Sequence, residues 1–248
     1  MVAGNSGNHF HFDREILQKL EEKKMEDEKR AKERRMKVQK QRETVRSLAG
    51  GIPNMSDLRI ILLGYRGSGK SSLGNTILGR QEFITSLRTA QCVKKQGEIA
   101  GRKVTLVEAP GWVFSHSVDS TPARDQQELV RSVSLCPPGP QALLLVISVS
   151  LSFREDSKSA AQEHLQLLGE GIWDRTLVLF TRGDWLGDTT IEQHIESGGE
   201  ALKWVVEKCG NRYHIVNNLN RQDRTQVKEL LEKVAEMVTG QPQPPFQD

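Results

Sequence analysis

Between residues 57 and 240, short apolar runs alternate with longer segments in which apolar and polar residues mix. The short runs are typical of buried strands and the mixed segments of amphipathic helices. The pattern predicts strands at 58–63, 103–108, 142–149, 176–180 and 213–216, helices at 70–78, 124–135, 156–170, 190–208 and 222–238, and an irregular stretch at 79–97. Alternating strands and helices predict an α/β fold with a mostly parallel sheet and helices on both faces.

A charged segment precedes this pattern. Residues 13 to about 48 are rich in Glu, Lys, Arg and Gln and contain no Gly or Pro, which predicts a helix. Pairs four residues apart, such as Glu28 and Lys32, each stabilise it by about 0.3 kcal/mol. Because its apolar residues hold no heptad seam, we interpret it as a solvated spacer and not as a strong coiled coil. The alternative is weak oligomerisation or contact with an anionic membrane surface.

The composition divides the chain into three parts. Residues 1–12 are small and polar and are predicted to be disordered, and the Gly- and Pro-containing residues 49–56 break the helix. We therefore expect a disordered start, a charged helix and a linker over 1–56, a globular domain over 57–240 and an extended tail over 241–248.

The distribution of charge argues against a nucleic-acid partner. The chain carries a net +3, but residues 13–46 hold 13 basic and 9 acidic residues, which leaves about −1 elsewhere. A nearly neutral globular part lacks the basic surface that nucleic acid requires. We therefore interpret Trp173, Trp185 and Trp204 as core or rim residues and not as a platform for stacking bases.

Two further features concern the compartment. The longest apolar run, residues 142–149, is too short to span a bilayer, so no transmembrane segment is expected. The three cysteines lie far apart and form no C-x-x-C pair, which indicates free thiols in a reducing compartment. We expect a cytoplasmic protein.

A glycine-rich loop follows the first predicted strand with the spacing G-x-x-x-x-G-K-[ST]. In such a loop, glycines let backbone N–H groups turn toward a phosphate, the lysine reaches the β- and γ-phosphate oxygens, and the hydroxyl after it ligates Mg²⁺. The predicted nucleotide-binding residues are Gly64, Tyr65, Arg66, Gly67, Ser68, Gly69, Lys70, Ser71 and Ser72.

Glu108 and Gly111 follow the strand predicted at 103–108. Ligands of parallel sheets lie beyond the carboxyl ends of the strands, so this turn is expected to face the phosphate loop. Glu108 could hold Mg²⁺ through water, and the N–H of Gly111 could face a γ-phosphate. Small GTPases usually carry Asp in this D-x-x-G pattern, so the longer glutamate is expected to alter the affinity or geometry of the metal.

The sequence Thr181-Arg182-Gly183-Asp184 follows the strand predicted at 176–180 and resembles the [NT]-K-x-D motif that recognises guanine. Asp184 would accept hydrogen bonds from guanine N1–H and the 2-amino group, a pair of donors that adenine lacks. Arg182 could lie along the base. After the last strand, Asn217 and Asn218 are placed for a further base-side loop.

The order of these motifs resembles the immunity-associated GTPase family (GIMAP, or avrRpt2-induced-gene GTPases) over about residues 57–240. The most specific feature is the segment 136–146, which is similar to the hydrophobic box of that family, and the segments 181–186 and 209–214 are similar to versions found in fish. The resemblance implies a P-loop NTPase G domain that binds GTP or GDP with Mg²⁺. It also implies a homodimer or oligomer that forms through the nucleotide face.

The chain departs from the family at positions that bear on hydrolysis. The threonine of the family's first switch is replaced in Cys92-Val-Lys94, where Thr89 or Thr85 could substitute. Trp112 occupies the position of a water-orienting glutamine, so we expect slow intrinsic hydrolysis, at about 10⁻⁴–10⁻² per second. An arginine supplied across the dimer could accelerate it, and Arg131 is the candidate, with Arg66 second.

Two other functions remain open at this point. A hydrolysis-deficient scaffold would bind GTP or GDP as a structural ligand and act only through its partners. A small-molecule kinase would use the same phosphate loop but would prefer ATP, and it leaves the motif that ends in Asp184 unexplained.

Overall fold

A computed structural model describes residues 14–240 of the chain, and a six-stranded sheet forms its centre. The spatial order of the strands is β2-β3-β1-β4-β5-β6, and every neighbouring pair is parallel except the antiparallel pair β2–β3. The strands are β1 Asp57–Leu63, β2 Val93–Ile99, β3 Arg102–Glu108, β4 Ala142–Ser148, β5 Thr176–Thr181 and β6 Tyr213–Ile215. The expectations for residues 1–13 and 241–248 lie outside the described residues.

Seven α-helices occur within residues 14–240. They are α1 Arg14–Leu48, α2 Lys70–Leu78, α3 Ala123–Ser134, α4 Glu155–Gln166, α5 Ile191–Ser197, α6 Glu200–Lys208 and α7 Thr225–Gly240. Within residues 14–240, every helix is too short or too polar to span a bilayer.

Both faces of the sheet are covered by helices, which confirms the predicted α/β architecture. All seven residues of β4 are buried, which explains the continuous apolar run that the sequence shows there. Leu143 belongs to the hydrophobic core that α3–α6 cover, whereas Leu144 belongs to the core beneath α2 and α7. The period-two alternation of a strand thus supplies both cores from one segment.

Two local predictions were wrong. The stretch predicted as irregular contains β2, an edge strand that pairs with β3 through a tight turn at Ala100 and Gly101, both with positive φ. This strand was not predicted because its residues are mostly polar and its side chains are mostly exposed or half-buried, so it shows no apolar pattern. The helix predicted at 190–208 is divided at Gly198 and Gly199, because Gly199 adopts a φ of 92° that no helix interior accepts.

The interpretation of the charged helix as a solvated spacer was wrong for its second half. The side chain of Arg34 is only 8% exposed and donates hydrogen bonds to Glu196 Oε1 and Asn211 Oδ1, both at 2.5 Å. Further along α1, Arg42 and Arg46 donate to the carboxylate of Glu236 on α7 over 2.7 and 2.6 Å. This part of α1 is therefore docked on the domain, while residues 14–26 are exposed.

The three cysteines are free thiols, as the sequence indicates. Cys136 and Cys209 are fully buried in the core, and burial raises the pKa of the Cys209 thiol to about 12. Both behave as small apolar core residues.

Candidate functional site

The glycine-rich loop leaves the end of β1 in a conformation that side chains would not permit. Gly64 has a φ of 144°, and a Cβ there would lie 2.5 Å from the carbonyl oxygen of Val146. Gly69 has a φ of 98° and packs against the side chain of Thr181. The chain then enters α2 at Lys70, so a helix N-terminus with unpaired N–H groups follows the loop directly.

Lys70 lies buried at the base of this loop. Its Nζ donates hydrogen bonds to the carbonyl oxygens of Gly64 and Tyr65, both at 3.0 Å. Burial lowers the pKa of Lys70 to about 8, although the carboxylate of Glu108 acts in the opposite direction. A Cβ on Gly111 would lie only 2.6 Å from Nζ, so glycine is required where the turn after β3 meets the lysine.

Three oxygen-bearing side chains meet beside this lysine. Glu108 Oε1 accepts hydrogen bonds from Ser71 Oγ at 2.7 Å and from Thr89 Oγ1 at 3.0 Å. The glutamate is 2% exposed, so its carboxylate is held in one place. Hard oxygen donors of this kind suit Mg²⁺. Of the two threonines that the sequence left open, Thr89 contacts Glu108, whereas Thr85 lines the cleft wall.

The residues of the base motif line the other end of the same cleft, whose volume is 540 Å³. Asp184 and Asn218 lie there, together with Trp185 and Leu219, which are 66% and 81% exposed. The guanidinium of Arg182 lies 5.8 Å from the centre of the Trp185 ring. A cleft of this size accommodates a nucleotide, and Trp185 is a rim residue.

Four predicted nucleotide-binding residues do not line the cleft and instead bond to the protein around it. The hydroxyl of Tyr65 accepts a hydrogen bond from the backbone N–H of Ser148 at 2.9 Å, and Thr181 Oγ1 donates to the carbonyl of Ser68 at 2.6 Å. Asn217 Oδ1 accepts from two backbone amides that follow it. None of Tyr65, Ser68, Thr181 and Asn217 lines the cleft, and the side chains of the first three are buried, so their contact with nucleotide stays a prediction.

The sequence did not indicate that the side chain of Gln226 holds the base-side loop in place. The amide of Gln226, near the start of α7, donates to the carbonyls of Asn217 and Asn220 at 3.2 and 2.8 Å and accepts from the N–H of Asn217 at 2.9 Å. A single glutamine in a helix carries no sequence signal for such a role.

The arginines proposed for catalysis occupy different surroundings. Arg131 lies on α3 outside the residues that line the cleft, is 54% exposed and pairs with Glu128. Arg66 does line the cleft, and its Nε donates to the carbonyl of Gly111 at 3.1 Å. Arg88, which the sequence did not single out, lines the same end of the cleft. Trp112 is buried and stacked on His164, with ring centres 4.6 Å apart.

The strand order, the phosphate loop and the loops beyond the strand ends define a GTPase-type P-loop fold. A dimerization-deficient mutant of Toc33 from Arabidopsis thaliana aligns with a TM-score of 0.60 at 17% identity, covering 82% of this chain and 92% of that one. Toc33 in complex with GDP and Mg²⁺ aligns with a TM-score of 0.55 at 17% identity, covering 75% and 86%. At this identity the likeness shows the fold.

The family model described as AIG1 family matches residues 58–248, and the chain belongs to that family. GTPase IMAP family member 8 of Mus musculus is 35% identical over 182 residues, which cover 70% of this chain and 26% of that protein. Immune-associated nucleotide-binding protein 5 of Arabidopsis thaliana is 33% identical, covering 71% of this chain and 59% of its own length. The chain thus spans about a quarter of the mouse relative, and the family resemblance read from the sequence is confirmed.

Proposed function

We propose that this protein is a GTP-binding switch that binds GTP or GDP with Mg²⁺ and hydrolyses GTP slowly. One observation carries the proposal. A single cleft is lined at one end by Lys70, Ser71 and Glu108 and at the other by Asp184. The first set suits a phosphate chain with its metal, and the carboxylate at the far end suits the hydrogen-bonding edge of guanine.

The phosphates bind at the loop between β1 and α2. The N-terminus of α2 offers N–H groups to an anion, and Lys70 exchanges its two carbonyl partners for phosphate oxygens. Ser72, Gly67 and Gly69 line the wall of the cleft. The N–H of Gly111 would face the terminal phosphate, and a side chain at this position would collide with Lys70 Nζ.

Mg²⁺ would be held by the hydroxyl of Ser71 and, through water, by Glu108. Its chemical contribution is to neutralise charge on the phosphate oxygens. Thr89 already bonds to the same carboxylate oxygen, and it is therefore the residue that couples the segment before β2 to this site. Thr85 also lines the cleft and would contact the nucleotide itself.

The base is read at the other end. Asp184 accepts from N1–H and the 2-amino group of guanine, whereas adenine would leave the carboxylate without its donors. Arg182 and Trp185 offer a flat surface against the face of the ring. Asn218 bonds to Thr76 on α2 at 3.3 Å, and it joins the base end to the phosphate end.

Slow hydrolysis follows from the surroundings of Trp112. Its ring is 3% exposed and stacked on His164, so it offers no hydrogen-bonding group to an attacking water. The same observation favours a second candidate, a scaffold that binds GTP without hydrolysing it. Release of phosphate that rises with protein concentration would favour the switch, whereas its absence at every concentration would favour the scaffold.

The rim of the cleft suits contact with a second copy of the chain. Leu87, Trp185 and Leu219 are at least 66% exposed and lie around the opening. For the chloroplast translocon components atToc33 and psToc159, dimerization is important for the GTPase activity. Arg131 is 54% exposed in the single chain, so in such a dimer it would be available to the partner site. Arg131→Ala should then keep GTP affinity and lose concentration-dependent turnover.

The proposal is tested by titrating labelled GTP, GDP and ATP with and without Mg²⁺ while mass is followed by light scattering. We expect binding of both guanine nucleotides, none of ATP, tighter GTP binding with Mg²⁺ and a rise in mass with GTP. Equal affinity for ATP and GTP would overturn the proposal.

A further inference from the structure

Two arginines from different loops share one buried carboxylate beside the phosphate end of the cleft. Asp125 on α3 has a side chain that is 7% exposed, and its Oδ2 accepts from Arg66 at 3.2 Å and also from Arg88. Both arginines line the cleft, whereas Asp125 is not among the lining residues. The carboxylate therefore holds two cations at the cleft wall from behind.

The two arginines are held to different degrees. Arg66 also donates to the carbonyl of Gly111, and its backbone N–H donates to the carbonyl of Trp112 at 2.7 Å. For Arg88, Asp125 is the single polar partner of the side chain among residues 14–240, and that side chain is 47% exposed. Of the pair, Arg88 is the cation that can be redirected without disturbing the loop.

The net positive charge of this cluster favours binding of a further anion. One carboxylate faces two guanidinium groups, so this corner has a surplus positive charge. If Arg88 departs, Arg66 still pairs with Asp125, and no buried carboxylate is left without a partner. Moving Arg88 from the carboxylate of Asp125 to another anion therefore has a small electrostatic cost.

The position of Arg88 in the chain indicates which anion it would bind. It directly precedes Thr89, whose hydroxyl bonds to Glu108 at the end of the cleft where Ser71 lies. We propose that Arg88 leaves Asp125 to bind the terminal phosphate of a nucleoside triphosphate and thereby distinguishes GTP from GDP. This inference rests on the proposed function. Guanidinium groups bind phosphate through paired, charge-assisted hydrogen bonds, which a diphosphate one group shorter does not reach.

The test measures the affinities of GTP and GDP for Arg88→Ala and Arg88→Gln. Loss of a charged hydrogen bond should weaken GTP binding roughly 10- to 100-fold, with GDP binding changed less than about twofold. Arg88→Gln keeps a donor for Asp125 and should show the same selective loss, because the charge is gone. The matched control is Arg80→Ala, an exposed arginine on the same segment that pairs with Glu82 and lies outside the cleft. It should change neither affinity.

The outcomes separate this inference from the proposed function. If wild-type protein prefers guanine nucleotides but Arg88→Ala leaves the ratio of GTP to GDP affinity unchanged, Arg88 does not read the terminal phosphate. Equal weakening of both nucleotides, with a lower melting temperature, would assign Arg88 a structural role and also overturn the inference. If wild-type protein shows no preference for guanine, the proposed function itself fails.

Discussion

Ser71 at the start of α2 donates a hydrogen bond to Glu108 at the end of β3 over 2.7 Å. The same oxygen of Glu108 accepts from Thr89, so three separate segments meet at one buried carboxylate. A metal bound here would affect both the phosphate loop and the segment before β2.

Replacing Glu108 by Gln should remove the dependence of GTP affinity on Mg²⁺. The amide keeps the size of the side chain but loses the charge that holds a divalent cation. We expect Mg²⁺ to strengthen GTP binding by wild-type protein at least about tenfold and to change binding by the variant less than about twofold. Glu98→Gln, on the exposed side of β2, is the control. Full retention of the Mg²⁺ effect in Glu108→Gln would exclude this carboxylate from the metal site.

The docking of α1 predicts an unequal effect of two arginine substitutions. Arg34→Ala removes the close partner of the buried carboxylate of Glu196, which keeps a longer ion pair with Lys203 at 3.9 Å, and should lower the free energy of unfolding by about 3–5 kcal/mol. Arg30→Ala removes an exposed pair with Glu26 one turn earlier and should cost about 0.5 kcal/mol or less. Chemical denaturation of both variants measures the difference. Equal stability of the two would mean that α1 is not docked.

The lowered pKa of Lys70, about 8, predicts a pH dependence of nucleotide binding. Phosphate binds the protonated lysine, so affinity should be constant below the pKa and fall as pH rises through it, since the proton must then be taken up on binding. Measuring GDP affinity from about pH 6.5 to about pH 9 tests this. A flat profile for wild-type protein would contradict it.

Gly111→Ala should abolish tight nucleotide binding in a protein that still folds. The new Cβ would lie 2.6 Å from Lys70 Nζ and 2.9 Å from the backbone N of Arg66, so the lysine and the loop must move. We expect an affinity loss of roughly 100-fold, the effect of displacing a charged binding group. Gly97→Ala is the control, since its Cβ would meet only a methyl group of Leu78, at 3.1 Å. Unchanged binding by Gly111→Ala would show that the turn is not part of the site.

The sequence predicted the elements whose signal is local. The strand predicted at 142–149 spans Ala142–Ser148, because a strand buried on both faces must be a continuous apolar run. The phosphate loop was recognisable because the fixed spacing of Gly64, Gly69 and Lys70 follows from backbone geometry that only glycine provides.

Features that depend on distant partners could not be predicted. Arg34 and Glu196 are separated by 162 residues, and a pair of buried charges leaves no periodic pattern in the sequence. The edge strand β2 owes its place to backbone pairing with β3, which requires no apolar side chains. The convergence of Arg66 and Arg88 on Asp125 likewise brings together three segments that only the folded chain places side by side.

Asp184→Asn tests the central claim most directly, namely that one cleft binds a nucleotide by its phosphates at Lys70 and reads guanine at Asp184. Competition binding would compare GTP with xanthosine triphosphate, whose base presents an acceptor where guanine has the 2-amino donor. We expect wild-type protein to prefer GTP and the variant to prefer xanthosine triphosphate, since the amide of asparagine can donate where the carboxylate could only accept. A variant that still prefers GTP as strongly as wild-type protein would contradict the account.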